Sequence, residues 1–189
     1  MALTLERVRA HLAEHAAHRI VDPGAIQAAV AIVLVEHRHA WLEMLLIKRA
    51  EHEHDPWSGQ MGLPGGRRDP DDPSLLHTAC RETLEETSVE LGPGQLLGEL
   101  DDLHPRTRVL PPIVVRPFVF GMYERPEVSP NQEITLHLWV SLDEIRDSAT
   151  HSELDVRGQA LEVPSYVLGP HIVWGMTHRI IKPLIDLTE

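Results

Sequence analysis

The chain lacks the features that would place it outside the cell or within a membrane. A single cysteine, Cys80, in 189 residues excludes an internal disulfide. No apolar run approaches the ~18 residues that a membrane-crossing helix requires. The opening, MALTLERVRAHLAEHAAHR, alternates apolar and polar residues at helical spacing and has no uninterrupted apolar centre of the kind a secretion signal carries. A cytoplasmic protein without membrane contact is the expectation. Positive charge is scarce too: 17 Lys and Arg stand against 29 Asp and Glu, for a formal net charge of −12. That balance argues against long nucleic acids as partners, because their binding rests on cationic attraction to phosphates. Paired metal-ligand spacing is missing among the 13 histidines, and His52 and His54, on either side of Glu53, read as exposed loop. Repeats, linkers and low-complexity tracts are absent as well.

What is present is ordinary globular composition, 42% hydrophobic and 24% charged, in a length suited to one domain with a substantial core. Residues 1–189 are therefore expected to form a single domain, with 1–22 holding an N-terminal helix. The helical pattern covers 4–19, capped by Thr4 and carrying Leu5, Val8 and Leu12 on one side, and Pro23-Gly24 ends it. Apolar stretches at 27–35 and 41–47 predict a strand pair, followed by a polar loop at 50–59 and a short apolar segment at 61–63. Further strands are predicted at 96–100, 113–123 and 136–140, with a proline- and arginine-bearing loop at 103–112. A short helix at 142–146 precedes an irregular or hairpin region to Pro164, and a last helix runs from about 171 to 187.

The chemistry concentrates in residues 65–89, GGRRDPDDPSLLHTACRETLEETSV. At ~100° per helical residue, Glu82, Glu85 and Glu86 fall in one sector, and Leu76, Cys80, Thr83, Leu84 and Thr87 gather opposite. Asp72 is placed to cap this helix, with Pro73 at its first position. Cys80, on the packing side, reads as core rather than nucleophile. Three carboxylates and an arginine within six positions after a Gly-Gly turn suit a divalent cation, which prefers oxygen ligands.

This stretch resembles the Nudix box, a glycine followed after five residues by glutamate and after seven more by Arg-Glu, an apolar residue, any residue, Glu-Glu, any residue, glycine and an apolar residue. Here Gly66 leads after five residues to Asp72, eight residues then lead to Arg81, and Thr83 and Ser88 hold the apolar and glycine slots. The resemblance implies an α/β/α sandwich around a mixed sheet, and the mixed order of predicted elements fits it. It also implies hydrolysis of a diphosphate in a small nucleotide derivative with Mg²⁺, or Mn²⁺ as substitute. Glu82, Glu85 and Glu86 are then the implied metal ligands, with the Gly66 carbonyl as an added oxygen, and Arg81 orients a glutamate through a paired hydrogen bond. The general base stays open between Glu82 and Glu133.

Outside the box, LLIKRA at 45–50, Gly59 with LPGG at 63–66, GELDD at 98–102 and IVWGMT at 172–177 resemble segments of the coenzyme A pyrophosphatase branch. That similarity implies cleavage of coenzyme A to 3′,5′-ADP and a phosphopantetheine product. Hydrolysis of a nucleoside triphosphate, dinucleoside polyphosphate or other nucleotide is the alternative, and a non-catalytic binding or regulatory module is the alternative of another class. The branch pattern carries an arginine near position 54, where this chain has histidine. Arg49, Arg67, Arg68, Arg106 and Arg108, with Arg116, are the candidates for gripping an anionic substrate.

Overall fold

A computed structural model describes residues 3–38, 41–51, 57–105, 112–156 and 158–188. Its centre is β1 (Ile26–His37), an Ala-, Val- and Ile-rich strand whose two faces are both covered. Because side chains alternate along a strand, Ala28, Ile32 and Leu34 enter one cluster while Ala29, Ala31 and Val33 enter another. The first cluster includes Leu5, Val8 and Leu12 of α1 (Leu5–Glu14) and Ile180, Ile181, Leu184 and Ile185 of α4 (Gly175–Asp186). The second holds Ala79 of α2 (Leu75–Thr87) together with Phe118 and Phe120. A mixed sheet between helices is the α/β/α sandwich.

β1 forms the predicted antiparallel hairpin with β2 (Trp41–Arg49), in register from Leu34↔Met44 to His37↔Trp41. It also pairs parallel to β6 (Ile113–Met122) from Ile26↔Ile113 to Val35↔Met122. The first part of β1 is taken by β4 (Gly65–Arg67), with Ala29 opposite Gly66, and β2 continues to β3 (Met61–Gly62) and β7 (Ile134–Ser141). β5 (Leu96–Glu99) closes the far side along β6. After α3 (Leu142–Asp147), β8 (Ala149–Val156), β9 (Gln159–Leu168) and β10 (His171–Trp174) build a separate antiparallel sheet.

Several expectations are corrected. α1 stops at Glu14 rather than 19, because the segment beyond it is drawn onto acidic residues after β5. Asp101 accepts from the His18 N–H and Asp102 from the Ile20 N–H. Of the two forms expected before Pro164, irregular or hairpin, the structure has the hairpin, β8 with β9. Residues 171–174 form β10 instead of the first turn of the last helix, since they complete the ladder with β9. No helix among the described residues is long and apolar enough to cross a membrane.

Candidate active site

The α2 helix is set by Ser74, whose hydroxyl accepts from the His77 N–H at its first turn. Asp72 is therefore not the cap. It is 3% exposed and faces Arg81, receiving Nε at 3.0 Å and Nη2 at 2.9 Å in a paired hydrogen bond. Thr78 and His77 bond the same carboxylate. The Arg81 guanidinium holds the Asp72 carboxyl far below the usual carboxylate range, and the pairing raises Arg81 in turn. An aspartate with one extra residue of spacing thus still reaches the arginine. The paired bond expected between Arg81 and a glutamate belongs to Asp72, and Arg81 instead reaches Glu82 and Glu85 with Nη1, at 2.9 and 3.2 Å.

The helical faces also differ from expectation. Thr83 and Thr87 pack inward as predicted, but Leu84 is 48% exposed and Glu86 only 2%. The threonines fit the interior because their hydroxyls bond carbonyls one turn back, Ala79 and Thr83 respectively. Cys80 is half-buried beside the second cluster, where burial raises its thiol pKa, as expected of a packing residue.

The Gly-Gly turn then brings backbone against the glutamates. Gly65 has φ +148°, and a Cβ there would lie 2.3 Å from the Ala29 oxygen, so glycine is required. Its N–H donates to Glu86 Oε2 at 2.9 Å. A Cβ on Gly66 would fall 2.5 Å from the Glu82 carboxyl carbon. Glu82 thus lies directly against the backbone.

A buried carboxylate, Glu86, beside a partly buried one, Glu82, is costly without a compensating cation. Burial pushes Glu86 up to about 7, against the pull of the Gly65 N–H and Arg49, while Glu82 and Glu133 push it further. Glu82 is raised by burial too, opposed by Arg81 and reinforced by Glu85 and Glu133. Among the described residues, no three His, Cys, Asp or Glu groups are gathered as a ready-made metal cage. Here the glutamates are held by Arg81, the Gly65 N–H and, for Glu86, Arg49 Nη1 at 3.5 Å. The donor set nevertheless fits a hard divalent cation: oxygen ligands, excess negative charge and close backbone.

Glu82, Glu85, Glu86, Gly66, Arg49, Arg67 and Glu133 share one cleft of about 620 Å³. Glu133 reaches it on a loop stapled to its surroundings: Asn131 N–H donates to the Glu86 carbonyl, and Ala50 N–H to that of Glu133. Arg68 does not join them. It bonds Gln27 and the Asp72 carbonyl, and Arg116 is likewise absorbed by Asp102 through paired bonds of 2.8 and 2.9 Å. Arg106, Arg108 and His54 lie outside the described residues. Sequence reasoning missed the apolar lining of the cleft, formed by Trp57, Met61, Met176 and Ile180. IVWGMT was its one available signal.

A family model described as NUDIX domain matches residues 25–157. The chain belongs to the Nudix family. It is 34% identical over 146 residues to an uncharacterized Nudix hydrolase of Yersinia pestis, covering 75% of this chain and 70% of that one. It is also 28% identical over 194 residues to a mitochondrial coenzyme A diphosphatase of Mus musculus, covering 96% of this chain and 86% of the relative. Among solved structures, a MutT/nudix family protein from Enterococcus faecalis superposes with a TM-score of 0.63 at 18% identity, over 97% of this chain and 70% of that one, a likeness of fold. The chain is thus a Nudix pyrophosphohydrolase of nucleotide derivatives, an enzyme class that works with divalent metal.

Proposed function

We propose that this Nudix hydrolase cleaves the diphosphate of coenzyme A, with Mg²⁺ as its metal and Mn²⁺ as substitute, giving 3′,5′-ADP and phosphopantetheine. The observation that carries the reading is the cleft itself, lined both by glutamates and by apolar side chains. Similarity to the mouse coenzyme A diphosphatase along nearly the whole chain supports the same substrate.

In this reading Glu82, Glu85 and Glu86 hold the metal, with the Gly66 carbonyl as an added oxygen. Bound Mg²⁺ supplies charge neutralisation on the diphosphate and acidification of the attacking water. Arg81, fixed by Asp72, positions Glu82 and Glu85. Arg49 and Arg67, both lining the cleft, bind the substrate's anionic groups. Glu133 receives the proton of the attacking water, with Glu82 as the other candidate. Residues 1–189 act as one domain in this account, since a single core cluster joins α1, the central sheet and α4.

A substrate panel with Mg²⁺, read by product mass, tests the proposal. Coenzyme A is expected to show higher kcat/KM than dephospho-coenzyme A, NADH, ADP-ribose or nucleoside triphosphates, with 3′,5′-ADP as a product. Efficient cleavage of another nucleotide with coenzyme A untouched refutes the substrate and leaves the diphosphatase class standing.

A further inference from the structure

The NUDIX match ends at residue 157, yet α4, which begins at Gly175, supplies Met176, Thr177 and Ile180 to the cleft. Part of the site is therefore built by chain beyond the family core. Its placement follows from local chemistry. Gly175 turns the backbone at φ +63°, and Thr177 Oγ1 then donates to the Met61 carbonyl at 3.2 Å. The hydroxyl ties the first turn of α4 to β3. Ile180 is 6% exposed and rooted in the core, whereas Met176 is partly buried against that cluster and also borders the cleft. Trp57 and Met61 extend this apolar wall of the cleft, which the glutamates of α2 also line.

We propose that Met176 is a specificity-determining residue of this wall, receiving the uncharged, thiol-bearing arm of the substrate, and that Thr177 is the positioning residue that holds it there. The inference rests on the coenzyme A reading and extends it by assigning the two halves of the substrate to different parts of the cleft lining. The anionic diphosphate lies along α2 and the Gly-Gly turn. The arm carries no ionic charge, and a flexible thioether suits it because such a side chain adapts to an irregular partner. Losing apolar contacts in a substrate pocket changes discrimination by roughly tenfold or more, with the effect in binding rather than chemistry when the contact is equal in ground and transition states.

The experiment compares wild-type enzyme with Met176→Ala, Thr177→Val and Thr177→Ser, measuring kcat and KM for coenzyme A, Ki for 3′,5′-ADP, and Tm. Met176→Ala is expected to raise KM roughly tenfold with kcat and the Ki for 3′,5′-ADP unchanged. Thr177→Val should raise KM in the same way, and Thr177→Ser should restore it, because serine retains the hydroxyl. Wild-type KM in Met176→Ala overturns the inference while coenzyme A cleavage stands. A Ki for 3′,5′-ADP that weakens with KM also overturns it, by placing the nucleotide half on this wall. Tm losses in Thr177→Val without a change in KM reduce Thr177 to a structural contact and remove its positioning role. Failure of the wild-type enzyme to cleave coenzyme A overturns both this inference and the function on which it rests.

Discussion

Removing divalent metal and raising the pH should destabilise the folded protein, and Glu86 should account for most of the loss. Its carboxyl is 2% exposed and burial moves it from 4.5 up to about 7. Below 4.5 the folded and unfolded chains both hold the proton, so the stability associated with the neutral group is fully present. Between 4.5 and 7 the unfolded chain releases the proton while the folded chain retains it, and stability falls as pH rises. Above 7 both states are ionised and the burial cost remains. At about 1.4 kcal/mol per unit of displacement, the penalty is about 3 kcal/mol. Glu82 acts in the same direction, since its carboxyl is also raised.

Urea unfolding in the presence of chelator, repeated from pH 5 to 8, measures this directly when wild type is compared with Glu86→Gln. The glutamine holds the same volume without ionising, so its profile should be flatter by that amount. Adding Mg²⁺ at pH 7.5 should recover stability in the wild type, by about 2.7 kcal/mol at a hundredfold excess over Kd, and much less in the variant. Parallel pH profiles for the two proteins, or equal stabilisation by Mg²⁺, would refute the role given to Glu86.

Three other outcomes follow from the geometry around it. Asp72→Asn should cost about 3 kcal/mol in urea unfolding at pH 7, because a buried partner of Arg81 is lost; in the wild type that contribution is present above the ordinary Asp value of 3.8 and declines as pH falls through the depressed folded value. Glu133→Gln should lower kcat by roughly a hundredfold or more while leaving the Mg²⁺ activation constant unchanged if Glu133 is the base, and a raised activation constant would make it a ligand instead. Gly66→Ala should abolish turnover by displacing Glu82, whereas Gly94→Ala, with nothing within 4 Å of the new methyl, should retain wild-type kcat.

The parts of the molecule legible in the sequence are those where local pattern and tertiary environment agree. The hairpin of β1 and β2 was readable because buried strands are apolar throughout, and Thr4 as a cap because its hydroxyl acts within its own turn. The grouping of Glu82, Glu85 and Glu86 was readable because helical spacing determines it. Burial was not, because periodicity locates a sector and says nothing of what covers it: Leu84 is exposed and Glu86 enclosed only once β4 lays Gly65 against the helix. Asp72 looked like a cap because both of its possible partners, a helix end and Arg81, were close in sequence, and the charged hydrogen bonds to Arg81 won over weaker backbone capping. The arginines illustrate the same limit. Arg68 and Arg116 are as cationic as Arg49 and Arg67, but Gln27, the Asp72 carbonyl and Asp102 engage the first two away from the cleft. Where a guanidinium ends up is decided by the acceptors that the fold brings to it: Asp102 lies 14 residues from Arg116, and Arg68 takes Gln27, 41 residues away, as well as the nearby Asp72 carbonyl. The apolar lining of the cleft is the extreme case, because Trp57, Met61 and Met176 join the α2 glutamates around it only once the chain has folded.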